Sequence, residues 1–578
     1  MSLTAGELIT RTLLANGVGS VFAVAGASHT HLLAPLSDAG VRVLSSRHEA
    51  GAVGGADGYA RATGGLGVAL IVADQGLPNA IGALAVAWHA LSPVLVLVAT
   101  PPRTLVEADS GIDQDKLALV APISKWARTV PDAARLHDYL ETAIKHARSG
   151  RTGPTVLLIP ELLLSATVTA VADVAGLPSP MPQPNPASID AAAALLADAE
   201  RPLVVAGGGA VDAAAELRQF AATHRIPVLM NALGRGVVPE DDELGFPWPY
   251  AQVAADRADV VLVAGARLTQ RLGLGLPPRF DAAAKFIQID VEAGAFHRNR
   301  RTDVPILGAA APAIGALDRA LAARRGGRPF DSAWLHAAIV PRARRIAELA
   351  GSDAALLHPL QLARAIEARR PPGSTVVADG ADIATWLYGA VRIREPRGFL
   401  DHYPMGAMGS CTALAVGAAA AQHERRGADA PPVVLVTGDG AIGFHPFELH
   451  AAARAGLNLV VVVANDGAWG TELHTQRQAI GRDLNTQLGQ LRYEQLATIV
   501  GGCGLRVDSP AQLEPALERA FATPGLVVVN ALIDPGAGAE LKTNPDVRMI
   551  VFSDLVAGAA VLRGARHSAG SSGEEVPQ

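Results

Sequence analysis

Short apolar runs alternate with alanine-rich stretches along almost the whole chain. Val21–Val24, Val68–Val72, Val94–Val98 and Thr155–Ile159 are apolar runs of strand length. Runs without polar alternation suit strands covered on both faces, as in parallel sheets. Ala50–Arg61 and Ala80–Leu91 lie between them and predict helices. Thr4 with Glu7 predicts a capping box at the start of a first helix. Five prolines, at 178, 180, 182, 184 and 186, then predict an extended linker over 171–190. The alternation resumes with Pro202–Ala206, a Gly207-Gly208-Gly209 turn, a helix from Asp212, and strands at Val260–Val263 and Phe286–Ile289. A charged helical stretch, Arg342–Glu348, leads to strands at Thr375–Ala378, Val433–Val436, Val460–Val463 and Leu526–Ala531. The pattern predicts an α/β protein of three doubly wound parallel-sheet domains. Their expected bounds are 1–170, 191–335 and 356–538, with a linker at 336–355 and a C-terminal tail at 539–578.

Composition narrows the class. Hydrophobic residues make up 49% of the 578 positions and charged residues 18%, which excludes disorder for most of the chain. Lys and Arg number 49 against 55 Asp and Glu, and no basic block stands out, so no nucleic-acid partner is expected. Cys411 and Cys503 are too far apart for a paired metal motif, and two cysteines make no disulfide scaffold. A reducing cytoplasm is the expected location. No stretch reaches the roughly 18 apolar residues of a membrane span. Leu91–Ala99 and Leu457–Ala464 are shorter and read as buried strands. The N-terminus lacks a basic region followed by an apolar one, so neither a secretory signal nor a membrane partner is expected.

The strongest chemical signal is a pair of strand ends. Val433–Thr437 runs into Gly438-Asp439-Gly440-Ala441, and Val460–Ala464 runs into Asn465-Asp466-Gly467. Asp439 and Asn465 are 26 residues apart, enough for one helix and a return strand. Both loops then fall at carboxyl ends of parallel strands, where open α/β sheets bind ligands. The Asp439 carboxylate, the Asn465 amide oxygen and the Gly467 carbonyl are hard oxygens suited to Mg²⁺. Gly440 and Ala441 can bring backbone N–H groups to a phosphate. Gly-Asp-Gly alone also fits an ordinary strand–turn–helix corner; the pairing at this spacing favours a site.

This pairing resembles the thiamine diphosphate-dependent enzymes of the acetolactate synthase, oxalyl-CoA decarboxylase and 2-hydroxyacyl-CoA lyase group, over nearly the whole chain. The resemblance implies a pyrimidine-binding domain, a middle domain and a diphosphate-binding domain, with thiamine diphosphate and Mg²⁺ as cofactors. Ala464 stands where the group usually has a second Asn. Ser46-Arg-His-Glu-Ala-Gly resembles the group's other signature. The resemblance makes Glu49 the catalytic carboxylate that hydrogen-bonds N1′ of the aminopyrimidine. Tyr403-Pro-Met-Gly-Ala-Met-Gly-Ser resembles the segment that bends the cofactor. There Met408 would wedge between the rings and the Gly406 carbonyl would accept from the 4′-amino group.

The substrate side is less regular. Counting back from Pro122-Ile-Ser-Lys125, the group's usual Gln falls on Ile112, with Gln114 two residues away. His29 lies in the first strand-to-helix loop, as a proton-transfer group or as a loop histidine touching solvent. Gly265-Ala-Arg-Leu, Lys285-Phe-Ile-Gln-Ile-Asp290 and Arg492-Tyr-Glu-Gln resemble the 2-hydroxyacyl-CoA lyases most closely. By that resemblance Glu494 borders the active site as a catalytic group, and Arg267 and Asp290 engage an ADP or CoA moiety. Lys542 and Arg548 make the tail basic, as a lid over a CoA handle or as a packed helix. The expected activity is cleavage of a 2-hydroxyacyl-CoA to formyl-CoA and an aldehyde or ketone. The alternatives are an acetolactate synthase-like ligase and a 2-oxoacid or oxalyl-CoA decarboxylase. The resemblance further implies a homodimer or homotetramer, with Glu49 of one copy facing Asp439 of another.

Overall fold

The computed structural model describes residues 2–73, 75–108, 114–169, 174–248, 252–349 and 356–547. Within them stand three six-stranded parallel sheets with flanking helices. The first orders its strands Arg42–Ser45, Ser20–Ala23, Gly67–Val72, Val94–Thr100, Thr155–Pro160 and Trp126–Thr129. The second runs Gly245–Pro247, Val228–Met230, Pro202–Ala206, Val260–Ala264, Lys285–Asp290 and Val304–Leu307. The third runs Phe399–Asp401, Val376–Ala378, Val433–Gly438, Leu459–Asn465, Leu526–Leu532 and Cys503–Val507. In each sheet the earliest strand is followed by a neighbour on one side and later by neighbours on the other. The loops on either side of that reversal leave in opposite directions and open a crevice at the carboxyl edge. In the third sheet those loops begin at Asp379 and at Asp439.

The expected strands lie within about two residues of the observed ones, because each apolar run is buried on both faces. Two expectations shift. Helix Pro186–Ala197 begins inside the segment read as linker, since proline suits the first helical position and Asn185 caps it. The helix expected from Asp212 starts as a 3₁₀ turn, Gly208–Ala213, and becomes α-helical only at Ala214. There a Cβ on Gly209 would lie 3.0 Å from the Gly265 backbone, so the glycines pack loop against loop. The capping box forms as read, with Glu7 N–H donating to Thr4 Oγ1 at 3.2 Å.

The chain divides into two compact units. One comprises Met1–Pro180, Ala354–Leu387 and Leu400–Pro535; the other comprises Met181–Asp353, Tyr388–Phe399 and the residues from Gly536 on. The first unit holds the first and third sheets. Its helices Glu49–Thr63 and Cys411–Arg426 cross in backbone contact. A Cβ on Gly58 would sit 2.1 Å from the Leu414 carbonyl oxygen, and one on Gly417 2.0 Å from that of Gly55. Only glycine permits such an approach. Around this crossing the Tyr59 hydroxyl donates to Glu424 at 2.9 Å, and the buried Arg61 pairs with Asp57 while donating to the Asp401 carbonyl at 2.8 Å.

In the second unit, helix Ala333–Leu349 includes the charged stretch read from the sequence. Arg345 on this helix forms a two-pronged ion pair with Asp546, both contacts at 2.6 Å. Among the described residues no helix is long and apolar enough to cross a membrane.

Candidate active site

Asp439 opens the short helix Asp439–Ile442 directly after its strand, and Asn465 ends the neighbouring strand. Both are buried. Gly467 N–H bridges them, donating to Asp439 Oδ2 at 3.0 Å and to Asn465 Oδ1 at 3.1 Å. The Asn465 NH₂ group spends its protons on the Leu491 carbonyl and on Asn530 Oδ1, each at 3.1 Å. That orients its oxygen toward Asp439. Burial, then the neighbouring Asp466 charge, pushes the Asp439 carboxyl up to about 8. Burial raises Asp466 as well. This is a hard-oxygen set that fits a divalent cation.

Two details depart from the sequence reading. The Gly467 carbonyl accepts from Leu488 N–H at 2.7 Å and Gly489 N–H at 2.9 Å, so both lone pairs are committed to that turn. The Gly440 N–H donates to Asp439 Oδ1 at 3.0 Å and is satisfied within the loop. Glu494 is buried with its carboxylate accepting from Asn530 Nδ2 at 2.8 Å and Arg492 Nε at 2.9 Å. Burial works to raise its pKa, but these bonds hold it below the ordinary carboxylate value. These two donors engage both carboxylate oxygens and set Glu494 behind Asn530 and Asn465.

The segment read as bending the cofactor is a loop between Asp401 and Cys411. Gly406 needs its positive φ of 80°, a conformation glycine adopts freely. Met408 is half-buried. Asp379, fully buried, anchors this loop. Its carboxylate accepts from Gly409 N–H at 3.1 Å and from Cys411 N–H at 3.2 Å. Nearby, burial and then the Asp379 charge push the Cys411 thiol well up, so it stays a thiol that donates to the Ala378 carbonyl.

Glu49 is the first residue of its helix and is half-buried. Asn79 Nδ2 donates to its Oε2 at 3.0 Å. A Cβ on Gly76 would lie 3.0 Å from its Oε1, so glycine there leaves the carboxylate its space. His29 is buried, not solvent-facing, and neither ring nitrogen has a partner at normal hydrogen-bond geometry. Burial lowers its pKa by disfavouring the charged ring, and the Ile71 backbone opposes the shift.

In the second unit Arg267 follows strand Val260–Ala264 and Asp290 ends the adjacent strand Lys285–Asp290, so both lie at one sheet edge. Asp290 Oδ1 accepts from Glu292 N–H at 3.0 Å. Lys542 sits half-buried on the short helix Glu540–Thr543. Ile112, Arg548 and the tail beyond it lie outside the described residues.

Asn530, Asp466 and Asp379 escaped the sequence reading of roles. Asn530 carried a signal: one amide within an otherwise apolar strand, Leu526–Leu532.

Comparison with known proteins follows this geometry. Residues 3–119 match the thiamine pyrophosphate enzyme N-terminal TPP binding domain, 189–317 the central domain, and 379–531 the C-terminal TPP binding domain. The chain belongs to the thiamine pyrophosphate enzyme family. It is 32% identical to a "Probable acetolactate synthase" of Mycobacterium bovis, covering 94% of this chain and 98% of that one. It is 29% identical to a "2-hydroxyacyl-CoA lyase" of Arabidopsis thaliana, covering 93% and 97%. It is also 29% identical to an "Oxalyl-CoA decarboxylase" of Escherichia coli K12, covering 93% and 97%. The lyases, read from the motifs as nearest, are therefore no nearer than the acetolactate synthases. The TPP binding domains make thiamine diphosphate the cofactor of this enzyme family, and the Asp439 and Asn465 oxygens suit the cation that would accompany a diphosphate.

Proposed function

We propose that the chain is a thiamine diphosphate- and Mg²⁺-dependent carbon–carbon lyase. It cleaves a 2-hydroxyacyl-CoA to formyl-CoA and an aldehyde or ketone, and runs the condensation in reverse. The observation that carries the acyl-CoA branch is the placing of Arg267 and Asp290 together at one carboxyl edge. There a cationic fork and a carboxylate can hold the phosphates and hydroxyls of a nucleotide handle. Thiamine diphosphate, when bound, supplies the carbon centre that stabilises negative charge as the carbon–carbon bond breaks. The protein's residues do the rest. Glu49 holds a proton against a ring nitrogen of the aminopyrimidine, and Asn79 keeps Oε2 in place. Asp439 and Asn465 would hold the Mg²⁺ that accompanies the diphosphate. Asn530 and Glu494 keep the Asn465 amide turned the right way. Gly406 and Met408 shape the cofactor, with Asp379 securing their loop. Lys542 would meet the CoA end, and the working form is a homodimer or homotetramer.

The 32% identity to an acetolactate synthase favours a second reading, an acetolactate synthase-like ligase on the same site. Mass spectrometry of products separates them. Holoenzyme given a 2-hydroxyacyl-CoA should release formyl-CoA and a carbonyl compound. Acetolactate from pyruvate, with the acyl-CoA untouched, would replace the first reading by the second.

A further inference from the structure

Glu448 is 3% exposed and lies outside every role assigned above. Its carboxylate is aimed at the turn that precedes Glu49. Arg47 N–H donates to Glu448 Oε1 at 3.0 Å, and the His48 backbone and the Ser46 side chain lie near enough to favour its charged form. A Cβ on Gly51 would lie 2.1 Å from Glu448 Cδ and 2.3 Å from each oxygen. The carboxylate is therefore seated against the helix backbone itself. His48 caps that helix, its Nδ1 accepting from Ala50 N–H at 3.1 Å, and its ring packs 5.6 Å from the His445 ring. Glu49 follows immediately, reaching Asn79.

A turn that presents its backbone N–H groups to one buried side chain is best met by a group that only accepts. A carboxylate has about four lone-pair directions and no proton of its own, whereas an amide of the same shape turns its NH₂ toward some of the donors. Charge also strengthens these bonds. Burial pushes the Glu448 carboxyl up to about 7, against the pull of the Arg47 and His48 backbone and the Ser46 side chain. That burial is costly without a structural return, and the return is a fixed Ser46–His48 turn.

We propose that Glu448 is a positioning residue for Glu49: it clamps the Ser46–His48 turn and sets the direction in which the Glu49 carboxylate leaves its helix. The inference rests on the reading of Glu49 as the carboxylate that activates the cofactor. A displacement of order 1 Å at such a group costs about 100-fold in rate.

The test compares Glu448→Gln, Gly51→Ala, Glu49→Gln and the double variant Glu49→Gln/Glu448→Gln, each loaded with thiamine diphosphate and Mg²⁺. The readouts are the exchange rate of the cofactor C2 proton in D₂O, cofactor Kd, and the split of kcat from KM. Glu448→Gln should slow exchange and kcat by about 10- to 100-fold while KM and cofactor Kd stay within about twofold. Gly51→Ala, which leaves the carboxylate present but displaced, should do the same, and carries the comparison alone if Glu448→Gln does not fold. The double variant should be no slower than Glu49→Gln, because Glu448 acts through Glu49. Normal exchange in Glu448→Gln and Gly51→Ala, with exchange blocked in Glu49→Gln, overturns the proposal. So does a further loss in the double variant. Normal exchange in Glu49→Gln overturns the reading of Glu49, and the proposal with it.

Discussion

The side-chain amide of Asn465 donates to Asn530 Oδ1 at 3.1 Å. Because Asn530 is held in turn by Glu494 and the Leu491 carbonyl, one chain of hydrogen bonds decides which end of the Asn465 amide faces Asp439. Asn530→Ala removes an acceptor and a donor from a fully buried position. It should destabilise the protein by about 1–3 kcal/mol for each polar group left unpaired. It should also weaken Mg²⁺ binding while leaving Glu49 untouched. Mg²⁺ titration followed by cofactor retention checks this, and unchanged Mg²⁺ affinity would remove the orienting role.

Asp439→Ala should lower retention of Mg²⁺ and thiamine diphosphate sharply, since it removes the one carboxylate bonded to both the Gly440 and Gly467 N–H groups. Equilibrium dialysis of the purified variant reads the loss directly.

Glu49→Gln should instead bind cofactor normally, fold normally and turn over almost no substrate, because the carboxylate proton site is gone. If the site is shared between copies, mixing Glu49→Gln with Asp439→Ala subunits should restore part of the activity. Full activity from a species that sediments as a monomer would contradict the shared site.

His29 makes a pH prediction of definite sign. Burial depresses its pKa below the ordinary 6.5, so the folded state prefers the neutral ring. As pH falls through about 6.5 the unfolded chain takes up the proton first, and the stability present above that pH is lost. Urea unfolding of the wild type and His29→Phe between about pH 5 and pH 8 should show the difference shifting toward Phe at the acid end. A difference independent of pH would mean that the ring is accessible to protons when folded.

The Arg345–Asp546 pair fastens the start of the tail within the second unit. Truncation after Val547 keeps that pair and removes Arg548 and all that follows. Under the lid reading, kcat/KM for an acyl-CoA substrate should fall sharply while cofactor binding persists. An unchanged kcat/KM would assign the tail to packing.

Much of this molecule is legible in the residues. Parallel strands buried on both faces leave unbroken Val and Leu runs, so Leu459–Asn465 and Val94–Thr100 show themselves within two residues. Asp439 and Asn465 stand out because each sits at a strand end, where polarity changes abruptly, whereas Glu49 is picked out by its resemblance to a family signature. Other features depend on contacts distant in sequence. The Gly467 carbonyl is claimed by Leu488 and Gly489, which no local pattern announces. Glu448 meets Arg47 across 401 positions. The burial of His29 depends on how its loop folds over the sheet, and loop conformation is not periodic.

The contact of Gly58 with Leu414 and of Gly417 with Gly55 has a consequence for recombination among relatives. The N-terminal and C-terminal family segments, far apart in the chain, touch backbone to backbone, so neither is an interchangeable module. A fragment carrying only one of them would expose a groove floored by glycine and should precipitate unless its counterpart is co-expressed. A chimera that exchanges one segment transplants half of a helix crossing. Its success turns on whether the incoming helix is bare of side chains where Gly58 and Gly417 are, before any question of substrate arises.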